Sequence, residues 1–354
     1  MLNERRSENS LSVSDILASI RSKEYQIDGN FKDKDILSTE QFSREDIVKV
    51  LETAAQIEMA KKGGSYEACE HLLKNKRVAV CFYQPSTRTY MSFMAASQNM
   101  GAHVIGVPGM MQYSSAVKGE SLQDTVRTIE AHGTDAIVMR HEADDFVIHA
   151  AEAAEIPIIN AGAGKFEHPT QAMLDLYTIT QHSPIPLDGM SVTFIGDLKY
   201  GRTVHSLAKV LTVMGVPTMN FISPENTCLP QNLSQFLKER GVEVNTHIVS
   251  EPGELSQLVR HSDVLYDTRV QKEWFASEAE YTKAGRAIQI TPEVMSSAPE
   301  HSILLHPLPR VDEITTDVDL DPRAKYFAQV ASGVPVRMAL LGLVMGADFT
   351  SLTA

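Results

Sequence analysis

A chain of 354 residues, 43% hydrophobic and 22% charged, has the composition of a soluble globular protein and exceeds what one hydrophobic core serves, so two domains are expected. The formal net charge of −13 excludes a global basic footprint for nucleic acid, although a few cations converging in one cleft can still hold an anion. Three cysteines, Cys69, Cys81 and Cys228, form neither a CxxC pair nor a Cys/His cluster, which argues against structural zinc and for a reducing cytoplasm.

Residues 1–10, MLNERRSENS, lack the apolar core of a secretory signal, and Glu4, Glu8 and Asp15 sit poorly with an organelle transit peptide. The longest apolar candidate, around 338–347, is the length of one buried helix and predicts no membrane span. Residues 1–35 are polar apart from an amphipathic stretch at 13–20, and read as a flexible or loosely docked extension. From Ser43 the spacing of Ile47, Val48, Leu51, Ala54, Ala55 and Ile57 predicts a helix with a capped start.

Beyond it, short apolar runs at 78–83, 136–139, 156–159, 192–195, 264–266 and 303–305 alternate with helical stretches. Unbroken apolar strands separated by helices predict an α/β protein with two domains, each a mostly parallel sheet flanked by helices. Ligands in such sheets bind beyond the carboxyl ends of the strands. The segments that follow the runs carry Arg88, Arg140, Arg202, Arg269 and Arg310. One arginine there is an ordinary surface residue; five in an acidic chain predict a shared anion site.

Each motif has a plainer reading beside the functional one. Pro85-Ser86-Thr87-Arg88-Thr89 opens a helix after a strand, where unpaired N–H groups, hydroxyls and a guanidinium make a phosphate cradle or, equally, a simple Ser/Thr cap. Residues 114–121 form a loop from which Lys118 projects, by itself an ordinary surface lysine; His168 and Gln171 follow a glycine-rich loop past a strand end, where the histidine is either structural or part of a site. Residues 196–202, GDLKYGR, make a strand-to-helix turn without the GxGxxG of dinucleotide sites. Arg269 and Gln271 lie two apart in an extended segment, so both side chains face one way and suit a carboxylate, or form a structural pair.

Together PSTRT (85–89), KGES (118–121), AIVMRH (136–141), HPTQAMLDLYTI (168–179), GDLKYGRTVHSL (196–207), TRVQKE (268–273) and HPLPRVDEI (306–314) resemble the aspartate/ornithine transcarbamylase family, in the family's order and over about residues 40–350. Pro307 stands where ornithine enzymes typically carry cysteine, which favours the aspartate branch. The resemblance implies a carbamoyl-phosphate half at 36–170 completed by a C-terminal helix at 331–354, and an aspartate half at 171–330. It further implies a homotrimer, or a higher assembly, with active sites shared between chains, no metal or organic cofactor, and a place in pyrimidine biosynthesis.

By the same resemblance Ser86, Thr87, Arg88 and Thr89 would hold the phosphate, with Arg140 bridging phosphate and carbamoyl oxygen. His168 and Gln171 would contact the carbamoyl group, and Ser114 and Lys118 would arrive from the neighbouring chain. Arg202, Arg269 and Gln271 would bind the carboxylates of aspartate, with the Leu308 carbonyl at its amino group; Lys118 would touch both substrates. The chain departs from the family at Gln84 and Trp274, where charged partners of a closed state are usual, and at Tyr90. Hyperbolic aspartate saturation is therefore expected. Transfer to another amine such as ornithine, and a silent paralogue in a pathway assembly, are the alternatives.

Overall fold

The computed structural model describes residues 10–270, 272 and 275–352 and divides into two units, one up to Thr170 and again from Val334, the other Gln171–Gly333. The first unit holds a four-stranded parallel sheet of β1 (Arg77–Phe82), β2 (His103–Val107), β3 (Ala136–His141) and β4 (Ile158–Ala163), in the order β2-β1-β3-β4. Central β1 is buried from Val78 to Phe82, which is why it reads as an unbroken apolar run. Edge strand β2 has no fully buried residue, and its HVIGV sequence gives no such signal.

The second unit holds a five-stranded parallel sheet, β7-β6-β5-β8-β9, built from β5 (Ser191–Gly196), β6 (Thr218–Ser223), β7 (Glu243–Ile248), β8 (Val264–Thr268) and β9 (Ile303–Leu305). The α/β expectation holds in both units, but the apolar runs do not reveal β2, β6 and β7. In β6, Asn220 interrupts the run because its side-chain amide donates to Ser191 and Thr193 across the sheet. Edge strand β7 is mostly exposed and polar. The run at 156–159 is also displaced: β4 begins at Ile158 and takes in the Asn160-Ala163 stretch that reads as loop.

Helix Arg44–Ala60 starts as expected, with Ser43 and Asp46 forming a reciprocal capping box. The polar extension departs from expectation. Val13–Ile20 is a helix capped by Ser12 and Asp15, and Ile16 and Ile20 are fully buried in the core of the first unit. Burying each isoleucine stabilises the docked state by about 1.5–3 kcal/mol. That offsets part of the cost of ordering a helix of 8 residues, too short to persist alone. Helix Tyr326–Val344, 19 residues long, is apolar enough by composition to cross a membrane, which the sequence reading does not anticipate. Val336, Met338, Ala339, Leu340, Leu341 and Val344 are fully buried, as in the core helix of a folded unit.

Candidate active site

In the first unit the anion-binding candidates gather on the carboxyl edge of neighbouring strands. Phe82 of β1 stands in register with Arg140 of β3, and the Tyr83 amide donates to the Arg140 carbonyl at 2.8 Å. The chain then turns at Ser86 into helix Thr87–Asn99. Ser86 makes no side-chain capping bond, which answers the simple-cap reading: its hydroxyl is not spent on the helix. Thr89 is buried in the first turn, and burial pushes the half-buried Arg88 guanidinium below its ordinary value. A desolvated guanidinium beside open N–H groups makes an anion site of low dielectric.

Arg140 reaches sideways over β4, its Nη1 donating to the Ala161 carbonyl at 3.2 Å. His168, only 4% exposed, follows β4 by a loop that Asp144 shapes by accepting from the Lys165 and Phe166 amides at 2.7 and 3.0 Å. Gly164 is required in that loop: its φ is +34°, and an added Cβ would collide with Asp144 and with the Glu142 carbonyl. Buried Glu167 fixes the residue before His168 by accepting from the Thr39 amide and hydroxyl at 2.7 and 2.9 Å. Ser86, Thr87, Arg88, Thr89, Arg140 and His168 are thus brought to adjacent strand ends.

Ser114 and Lys118 follow β2 in the same unit. Ser114 donates to the Met110 carbonyl and caps the short turn Ser115–Lys118, while Lys118 is exposed.

In the second unit the candidates follow β5, β8 and β9, which are neighbours. Arg202 opens helix Arg202–Val213, after a turn in which Asp197 accepts the Tyr200 amide at 2.9 Å. Gly196 pairs in register with Thr268, whose hydroxyl accepts the Asp197 amide at 3.1 Å and donates to the Ile195 carbonyl at 3.0 Å. A Cβ at Gly196 would strike the Thr268 carbonyl, so this glycine serves close approach of the two strand ends. Arg269, directly after Thr268, is exposed. Gln271 and Trp274 lie outside the described residues. Leu308 follows β9 with φ +57° and precedes a cis peptide to Pro309.

Arg310 does not join the anion site. Its guanidinium is held by both carboxylate oxygens of Asp319 and by the Tyr326 hydroxyl, and lies over the Tyr326 ring. The five-arginine reading is corrected by one: a strand-end position brought Arg310 into the set, but an internal ion pair uses its charge.

Sequence reasoning also misses a buried network. Asp175, fully buried in helix Pro169–His182, accepts from Gln171 Nε2 at 2.8 Å, Gln329 Nε2 at 2.6 Å and the Tyr266 hydroxyl at 2.8 Å. Gln329 Oε1 in turn accepts the His306 amide at 2.8 Å. Gln171 and the start of HPLPR are therefore held by one carboxylate. Asp175 carries no sequence signal, being a single acid on a helical stretch.

This architecture has a counterpart among known proteins. Residues 34–181 match the aspartate/ornithine carbamoyltransferase carbamoyl-P binding domain, and residues 188–344 match the Asp/Orn binding domain of the same family. The chain belongs to the aspartate/ornithine carbamoyltransferase family. It is 46% identical to the aspartate carbamoyltransferase catalytic subunit of Thermococcus onnurineus, over 89% of this chain and 98% of that protein. Identity to the Methanocella arvoryzae catalytic subunit is 43%, over 90% of this chain and 99% of that one. Aspartate transcarbamoylase of Trypanosoma cruzi, solved in complex with carbamoyl phosphate and aspartate, superposes with a TM-score of 0.79 at 38% identity, covering 89% of this chain and 98% of that chain. Both matched carbamoyltransferase domains carry candidate residues at their own strand ends.

Proposed function

We infer that the chain transfers the carbamoyl group of carbamoyl phosphate to the amino group of L-aspartate, giving N-carbamoyl-L-aspartate and phosphate for pyrimidine biosynthesis. The observation that carries this reading is the match of both domains to catalytic subunits of aspartate carbamoyltransferase, over 89–90% of this chain and 98–99% of those proteins.

The chemistry follows from the parts. The deprotonated aspartate amine attacks the carbamoyl carbon; the C–N bond forms, and negative charge grows on the carbonyl oxygen. Arg88, Thr89, Arg140 and His168 stabilise that oxyanion as fixed donors, an effect worth about 3–4 kcal/mol for a single well-placed donor. Collapse breaks the bond to the phosphate oxygen, and the departing phosphate takes the amine proton, so no side-chain base is needed. Ser86, Thr87, Arg88 and Thr89 hold the phosphate, Gln171 orients the carbamoyl group, and Arg202, Arg269 and Gln271 grip the aspartate carboxylates, with the Leu308 carbonyl at the amine. Holding both substrates in line supplies much of the rate.

Ser114 and Lys118 serve the site of a neighbouring copy in a homotrimer. Exposed Ile105, Met111, Tyr113 and Val117, on and after edge strand β2, support a covered face there. The cytoplasm suits the free cysteines. Aspartate-dependent phosphate release tests the reaction; product with ornithine alone would overturn it. Mixing Lys118→Ala with His168→Ala tests the sharing: mixed assemblies regain activity at sites built from one good half of each, whereas no recovery refutes a shared site. Aspartate saturation of the isolated chain is hyperbolic; a clear sigmoid would contradict this.

A further inference from the structure

The HPLPR turn is braced by a pair of buried groups that the reaction scheme does not use. His306 is 1% exposed, and its Nδ1 accepts the Leu308 amide at 2.8 Å. An amide N–H must meet a lone pair, so the ring proton sits on Nε2. Nε2 lies 2.9 Å from Glu313 Oε1, a close electrostatic contact in a dry interior rather than a well-aligned hydrogen bond, and one that favours the proton on Nε2. The other oxygen of Glu313 accepts the Val311 and Asp312 amides at 3.0 and 3.1 Å. One histidine and one carboxylate thus fasten both ends of the segment between them. The left-handed φ of +57° at Leu308, costly for a branched side chain, persists because this fastening over-determines it.

Neighbouring groups reinforce the arrangement. Fully buried Asp267 has Oδ2 3.9 Å from His306 Nε2, and burial together with the nearby Glu313 charge drives its carboxyl well above the ordinary range. Burial also raises Glu313, but the nearby His306 ring and the backbone amides outweigh it and hold the carboxyl below its usual value. Asp267 therefore keeps its proton and Glu313 is the anion that faces Nε2–H. Among the described residues these side chains form no group suited to a metal ion.

We propose that His306 and Glu313 are positioning residues for the aspartate side of the site: Glu313 fixes the Nε2-protonated tautomer of His306, and His306 fixes the Leu308 turn whose carbonyl meets the amine. The inference rests on the reading of Leu308 given above. Loss of the turn misplaces one acceptor for aspartate and leaves the phosphate cradle of the first unit untouched.

The substitutions separate hydrogen bonding from packing. Asn at 306 can still accept the amide two residues on, as in an Asx-turn, whereas Phe fills the space and cannot. Glu313→Gln is nearly isosteric but presents an N–H to Nε2, which selects the wrong tautomer and turns Nδ1–H against the Leu308 amide. Steady-state kinetics of the full chain would read the outcome. His306→Phe and Glu313→Gln should each raise the aspartate KM about tenfold, while inhibition by inorganic phosphate stays within about twofold. His306→Asn should recover most of that loss.

Parent-like aspartate KM in Glu313→Gln overturns the proposal, even where His306→Phe does not fold. Equal impairment of His306→Asn and His306→Phe does so too, since packing alone would then explain the histidine. Arg269→Ala serves as the control. If it leaves the aspartate KM unchanged, the aspartate-site reading itself fails; if it raises KM while the His306 and Glu313 variants do not, the brace alone fails.

Discussion

The two units build their strand-end sites by different means. In the first, Ser86, Thr87, Arg88 and Thr89 occupy the first turn of a regular helix and Arg140 the end of a central strand, so backbone geometry does most of the placing. In the second, Arg269 is exposed and Leu308 has a strained φ, and the order comes from buried side chains: Asp175, Gln329, Tyr266, His306 and Glu313. A phosphate is compact and multiply charged, and a helix N-terminus meets it with donors that need no support. An amino acid presents an amine and two separated carboxylates, and no single backbone motif matches that shape.

The largest expected effect lies on the phosphate side. Arg88→Ala should lower kcat by about 100- to 1,000-fold with the fold intact; wild-type turnover would remove Arg88 from the reacting centre. Next, Tyr266→Phe removes one donor to fully buried Asp175 and should cost about 1–3 kcal/mol in urea unfolding. It should raise the aspartate KM more than it alters phosphate inhibition; the reverse ranking would break the contrast between the units. Gln271→Ala should raise the aspartate KM about tenfold with little change in kcat, and an equal fall in kcat would move Gln271 into the chemical step.

A smaller effect concerns pH. The folded chain holds a proton on Asp267 that the unfolded chain releases near the ordinary carboxylate value. The folded state therefore binds more protons, and this contribution to stability falls as pH rises above that value. As pH rises above the ordinary carboxylate value, Asp267→Asn should gain on the parent by up to about 1.4 kcal/mol per pH unit; a gap that does not widen with pH refutes the assignment. The smallest effect is at Arg310. Asp319 is 35% exposed at the side chain, so Asp319→Asn should cost no more than about 1 kcal/mol in unfolding and leave both substrate constants unchanged. A changed aspartate KM would return Arg310 to the site.

Legibility in the sequence follows the same division. Central strands such as β1 and the helix after Ser43 announce themselves by unbroken or 3.6-spaced apolar residues, because burial on two faces or on one stripe leaves that trace. Edge strands β2 and β7 leave none, since exposure relaxes the demand for apolar residues. The docking of Val13–Ile20 was half legible: its amphipathic pattern is plain, but the surface that receives Ile16 and Ile20 comes from residues far along the chain.

By itself the sequence determined the α/β class, the strand ends that carry Arg88, Arg140 and Arg202, and the likeness to the carbamoyltransferases, because these depend on residue type and local spacing. Tertiary structure alone decided that Arg310 is neutralised by Asp319, that Asp175 ties Gln171 to the HPLPR segment, and that His306 meets Glu313. Those pairings depend on which side chains share an interior of low dielectric. No spacing rule along the chain encodes such a meeting when its partners come from different helices and strands.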